Sequence, residues 1–309
     1  MSLPRARGLA WPPGVGPPSG FASGLRQLWR DHLRGLRGHD LALTAGGVTF
    51  YAGIALVPTT LVAIRAAAAL TSPERVHALG DLLARTLPDA LGAPTAAQAM
   101  VTAGLSMSWL GTLIAAVPAT FYGEGLRRAF GTLSRSRESY AGWRGRLRVV
   151  PLFGVTPLLL LAMLFVVPTL SRLFGSADIS RSALAVYVGF LTTWVVVSPP
   201  LGYVYRVVGP EPLGWRAVAW GAAAAGSFVA GFLQGFVLFL ALPLDLGAPF
   251  GGLGAVGAMV AIGLWLWLLH LIVLVGYSLT QRIDERGGRP WASPPALAPK
   301  PAFSVAERG

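Results

Sequence analysis

The sequence predicts an all-α, polytopic membrane bundle, and three observations predict it. Of its 309 residues, 54% are hydrophobic and only 12% are charged, whereas soluble domains carry about 25% charged residues. Mean hydropathy is +0.60. The apolar residues also gather into stretches long enough to cross a bilayer core of about 30 Å, which takes roughly 20 helical residues. A soluble enzyme is excluded on these grounds. The absence of cysteine removes disulfides, thiolate metal sites and cysteine nucleophiles.

Six stretches meet the length requirement: Leu43 to Ile64, Val101 to Tyr122, Val149 to Leu170, Ala183 to Tyr205, Ala217 to Leu240, and Gly254 to Leu279. Each is too continuously apolar for the alternation of a transmembrane β-strand. Residues 1–24 and 285–309 are rich in Pro, Gly and small residues and read as disordered tails around a membrane domain at 25–284. The first of these lacks the continuous apolar core of a signal peptide.

With six spans both termini share a side. That side holds 20 of the 25 basic residues and a net charge of +12; the other side, with Arg65, Arg75, Arg85, Arg172 and Arg181, nets zero. Basic residues are retained in the cytoplasm, so both termini are expected there, in a plasma membrane. Two amphipathic segments flank the spans. In the first, Leu25, Leu28, Trp29, Leu33 and Leu36 form one helical stripe and Arg26, Arg30, Arg34 and Arg37 another. This pattern fits an interfacial helix facing anionic headgroups, or a helix packed on the bundle with a solvated basic face. In the second, Val76, Leu79, Leu83 and Leu87 share one face, and the segment is expected to lie along the outer surface of the membrane.

Small residues mark close helix contacts in lipid. Gly111, Ala115, Ala119 and Gly123 form such a stripe, as do Ala45, Thr49 and Gly53. Pro58, Pro118, Pro168, Pro199 and Pro200 predict kinks, each freeing a backbone carbonyl that protein or a wet cavity must accept. Ionisable residues at depth are expensive and call for partners. Glu124 has Arg127 and Arg128 at i+3 and i+4, which permits local ion pairs at a helix end or a cytoplasmic mouth that meets anionic headgroups. His270, behind Trp265 and Trp267, reads as an interhelical hydrogen-bonding group ahead of a proton relay, and Gln234 as glue between helices.

The four histidines fall on separate segments, and no H-E-x-x-H, G-x-S-x-G or GxxxxGK[ST] motif occurs. Neither metal site, hydrolase nor ATP-driven motor is encoded, so no cofactor is expected and the chain is not read as an enzyme. Nucleic acid is not expected as a partner, because aromatics do not interleave with the basic runs.

Three stretches resemble the YihY/BrkB family of bacterial inner-membrane proteins across roughly Leu25 to Asp284. They are FYAGIALVP from Phe50 to Pro58; YVYRVVGPEPLGWRAVAWGA with Tyr205, Arg206, Pro210, Trp215, Arg216, Gly221 and Ala222; and the glycine-rich entry to the last span with Phe250, Gly251, Gly254, Trp265 and Gly276. The chain departs from the family pattern at Ala55, where a serine is usual, and at Ser278, where an acid is common. The resemblance implies a virulence-factor-like membrane protein or a transporter of lipid or envelope precursors. An older ribonuclease BN label for the family conflicts with the missing metal ligands.

Together these readings point to a transporter or flippase-like protein for an amphipathic, anionic envelope molecule. Glu124, Arg127, Arg128 and Arg206 would form the inner mouth, with Pro58, Gln234 and His270 along the path. The alternative is a non-transporting scaffold that organises the envelope. Membrane lipids are the expected partners; oligomeric state is left open.

Overall fold

In the computed structural model, residues 20–86, 92–134, 143–152, 179–240, 242 and 245–292 are described. Among them the regular structure is entirely helical: α1 (Phe21–Leu36), α2 (Leu41–Leu70), α3 (Pro73–Thr86), α4 (Ala93–Ser106), α5 (Trp109–Leu133), α6 (143–152), α7 (Ile179–Tyr203), α8 (Trp215–Leu240) and α9 (Gly254–Asp284). Four segments are long and apolar enough to cross a membrane: Leu41–Leu70, Val186–Val208, Trp215–Phe236 and Gly254–Asp284. They correspond to the first, fourth, fifth and sixth expected spans. Most of the third, and the outer parts of both tails, lie outside the described residues.

The second expected span is corrected. Val101 to Tyr122 is not one helix: α4 ends at Ser106, and α5 restarts at Trp109 with the Ser108 hydroxyl accepting from Gly111 N at 3.1 Å. A serine that satisfies an orphan amide of a new helix is a stop–start signal that continuous hydropathy conceals. α5 has the length to span, but Glu124, Arg127 and Arg128 in its last third lower its apolar character, and it is not among the four. α3 and α4 instead form a hairpin, with Val76 and Leu79 buried and Val76 clustered with Val101 and Ile64. The apolar face of α3 is therefore turned inward, against α2 and α4.

The long helices pack in the lateral order α5, α2, α9, α8, α7. Their outward faces are apolar, as on α5 at Leu110, Leu113, Ile114 and Val117; a bundle in lipid presents such side chains to acyl chains rather than hiding them. Small residues set the spacing. Gly276 lies against the Tyr205 ring and Ala225, and Gly221 lies against Thr280, so a side chain at either glycine would drive helices apart. At one end of the bundle, where α5 and α9 finish and α8 begins, Phe130, Tyr205 and Tyr277 close the core, with Phe130 stacked on Tyr277 at 4.2 Å and the Tyr205 hydroxyl donating to Val273 O at 3.0 Å. Pro58, Pro118, Pro199 and Pro200 all sit inside continuous helices. The irregularity comes just after the last pair, where Val204–Val208 widen into a π turn that ends at Gly209 and Pro210.

α1 combines features of both readings of its sequence. Gly24, Leu28 and His32 are buried, with Leu28 packed against Ala217 and Ile283. Phe21, Leu25, Trp29 and Leu33 remain exposed at i, i+4, i+8 and i+12. The chain stays packed beyond the expected boundary at Asp284. The buried Arg286 donates to Asp31 at 2.7 Å, to Gly24 O at 3.3 Å and to Ala292 O at 2.9 Å, fastening α1 to the end of α9.

His32 is fully buried beside Arg282, and among the described residues neither ring nitrogen has a hydrogen-bond partner. Desolvation, aided by that cation, pushes its pKa down to about 4 from 6.5. A histidine that is harder to protonate when docked than when free in water costs nothing above pH 6.5 and opposes docking as pH falls toward 4. A bimane at Phe21→Cys, a clean label in a cysteine-free chain, replaces a ring that lies 5.8 Å from Trp291 and should brighten as α1 leaves over this window. His32→Leu should flatten the response.

Candidate functional site

The candidate site lies at the end of the bundle where the basic residues meet. Its scaffold begins with a helix end. The last carbonyls of α7 and its π turn have no amide ahead of them, because Gly209 and Pro210 stop the helix. Guanidinium groups take their place: Arg127 Nη1 donates to Val208 O at 3.1 Å and Gly209 O at 3.2 Å, and Arg148 Nη1 donates to Val207 O at 3.1 Å. The negative end of the helix dipole favours the same placement. Tyr203 returns a hydroxyl to Arg148 O at 2.8 Å.

α6 brings the other basic groups. It crosses α5 at two glycines, Gly123 against Gly145, where a Cβ on either would strike the partner's backbone. Gly123 is the last member of the small-residue stripe, and its role is to seat α6 rather than another long helix. From this crossing Arg146 reaches Glu124 at 2.5 Å and lies 4.1 Å from the Phe121 ring.

The four residues expected at the inner mouth thus divide. Glu124, buried, is bonded by Arg128 at 2.6 Å and by Arg146, and this ion-pair cluster is closed on itself. Arg127 turns away from Glu124 to the helix-end carbonyls. Arg127 and Arg206 instead share a cleft of about 460 Å³ with Arg144, Arg148, Glu211 and Pro212. Arg206 stacks over Trp215 at 4.3 Å, and Arg144 lies 5.8 Å from the Trp143 ring. Sequence reasoning missed Arg144, Arg146 and Arg148. In WRGRLR, Arg144 and Arg148 at i and i+4 share a helix face while Arg146 points away from it, but only the seat of α6 shows that this face enters the cleft.

A second cleft, of about 330 Å³, shares Glu211 and is lined by Ser134, Ser278, Arg282, Asp284 and Glu285 among others. Ser278 therefore opens into a cleft already rich in carboxylates. No group of three or more His, Cys, Asp or Glu able to hold a metal ion occurs among the described residues.

The three residues expected along a path line neither cleft. Pro58 is an interior residue of α2. Gln234 Nε2 donates to Val186 O at 3.0 Å, tying α8 to α7. His270 is buried between α2 and α5. The Thr49 hydroxyl donates to Ala45 O at 2.8 Å, so at 3.0 Å it accepts from His270 Nδ1, and Nε2 then accepts from the Tyr122 hydroxyl at 3.2 Å. Both ring nitrogens of a neutral histidine are satisfied by this chain.

This fold, with its apolar exposed helices, defines a helical membrane protein that crosses the bilayer several times. The BrkB family model, described as virulence factor BrkB, matches residues 32–297, and the chain belongs to that family. No curated protein and no solved structure matches it.

Replacing His270 by Leu removes two interhelical hydrogen bonds, each worth about 0.6 kcal/mol in membrane proteins, so roughly 1 kcal/mol of stability should be lost in a detergent melt. At the basic end, Glu124→Gln and Arg146→Gln should each lower the melting temperature and should couple in a double-mutant cycle. The coupling should stay near 1 kcal/mol, because both arginine partners are more than one-third exposed and water screens them.

Proposed function

We propose that this BrkB-family protein is a six-span plasma-membrane transporter, or flippase-like protein, for an amphipathic anionic envelope molecule, with both termini in the cytoplasm. The observation that carries this reading is the arginine-lined cleft holding Arg127 and Arg206 at the basic end of the bundle. Cationic groups anchored to a helix end, beside exposed Trp143 and Trp215, suit a headgroup at interfacial depth. The apolar helix faces suit a lipidic tail better than a hydrated ion. In this reading the protein performs no covalent chemistry, needs no cofactor and binds no nucleic acid, and movement follows a gradient or a partner. The exposed stripe of α1, with Arg26, Arg30 and Arg34 on the same helix, would rest on the anionic cytoplasmic leaflet.

A second reading, a non-transporting envelope scaffold, draws on a different observation: Gln234 and His270 serve as bonds between helices, and the clefts stop short of both.

Transbilayer movement of a fluorescent anionic lipid in proteoliposomes, followed by dithionite bleaching, separates the two. Transport predicts bleaching beyond the outer-leaflet limit, slowed several-fold by Arg206→Gln and little changed by Gln234→Leu. Traces equal to those of empty vesicles for several headgroups would favour the scaffold.

A further inference from the structure

The basic end contains two kinds of arginine. Arg128 and Arg146 are both paired with Glu124. Arg144, Arg148 and Arg206 enter no ion pair among the described residues, yet all three line one cleft with Arg127. What holds them is uncharged: the Trp143 ring for Arg144, the Val207 carbonyl for Arg148 and the Trp215 ring for Arg206. Such partners fix the plane of a guanidinium and leave its charge unspent, and each fork has five N–H donors of which few are engaged. Like charges gathered in one cleft repel one another unless an anion joins them.

We infer that this cleft is a binding site for a terminal phosphate dianion, a phosphomonoester or diphosphate, carried on a lipid. Three arginines that enter no ion pair among the described residues, Arg144, Arg148 and Arg206, line it with one carboxylate, Glu211, and that surplus of about two positive charges matches a phosphate of about two negative charges better than a phosphodiester of one. The volume of about 460 Å³ admits such a headgroup without its chains. Exposed Trp143 and Trp215 flank the cleft, and tryptophan settles at headgroup level; the phosphate therefore sits at the membrane surface, where a lipid delivers it and leaves its tails outside. This deepens the transport reading and rests on it for the lipid's onward movement, while binding itself is independent of transport.

The full chain in nanodiscs, at pH 8, tests the site by native mass spectrometry with phosphatidic acid, phosphatidylglycerol and phosphatidylcholine, and with inorganic pyrophosphate as competitor. Phosphatidic acid should bind at least ten-fold tighter than phosphatidylglycerol and be displaced by pyrophosphate. Arg144→Gln/Arg206→Gln, which spares the Arg148 anchor on the π turn, should abolish the preference at unchanged melting temperature; Arg26→Gln/Arg30→Gln on α1 should leave it intact. Equal binding of the two anionic lipids, or equal loss in the α1 variant, would overturn the site as mere surface attraction. Binding of pyrophosphate without phosphatidic acid would overturn the lipid as its bearer. A protein that moves lipid in the dithionite assay without this preference refutes the site alone, and one that shows the preference without moving lipid refutes transport alone.

Discussion

A polar group inside a bilayer has no water to fall back on, so every such group in this chain must find its partner within the bundle. Much of the architecture follows from that constraint. His270 of α9 is admitted against α2 and α5 because Thr49 and Tyr122 bond both its nitrogens, and the Thr49 hydroxyl in turn donates to Ala45 O. The terminal carbonyls of α7 are admitted because Arg127 and Arg148 reach them. Trp194 and Trp267 donate their indole N–H groups to Ala223 O and Ala42 O on neighbouring helices. Apart from the Thr49–Ala45 bond within α2, these bonds cross from one element to another, so the demand for satisfaction also specifies which helices are neighbours.

Close approach makes these bonds reachable. With apolar side chains facing lipid, the bundle gains nothing from excluding water, and contact depends on surfaces that fit. Gly276 against Tyr205 and Gly221 against Thr280 bring α9 beneath the π turn and α8. The same device at Gly123 and Gly145 brings α6 onto α5 and so carries Arg144, Arg146 and Arg148 to the basic end. A packing motif and a cluster of charges are thereby one feature: without two glycines at the crossing, the arginines would be elsewhere.

Much of this was legible in the sequence, though unevenly. α2, α8 and α9 follow hydropathic runs: α8 agrees within two residues at each end, while α2 and α9 continue to Leu70 and Asp284, past the ends of their runs. The stripe through Ala119 and Gly123 foretold buried contacts, and His270 foretold an interhelical bond. The break at Met107 and Ser108 was not legible, since one serine cap interrupts a run that stays apolar on both sides. The inward face of α3 was hidden for a related reason: an amphipathic stripe says that one face is apolar and is silent on whether lipid or protein covers it. α1 has the same ambiguity, and there Arg286, whose bond to Asp31 spans most of the chain, holds one face on the bundle while Phe21, Leu25, Trp29 and Leu33 stay exposed.

By itself the sequence determined that this is a helical membrane protein, since apolar runs of spanning length with so few charges have no other stable home. It also determined membership of the BrkB family and concentrated positive charge on alternate segments of the chain. Tertiary structure alone decided which arginines pair with Glu124. Spacing placed Arg127 and Arg128 equally within reach of Glu124. Only the assembled helix end, with its unbonded carbonyls, drew Arg127 away, and only the seat of α6 on Gly123 supplied Arg146 in its place. Charge is a property of residues, but its availability depends on what the fold brings within three ångströms or so of each group.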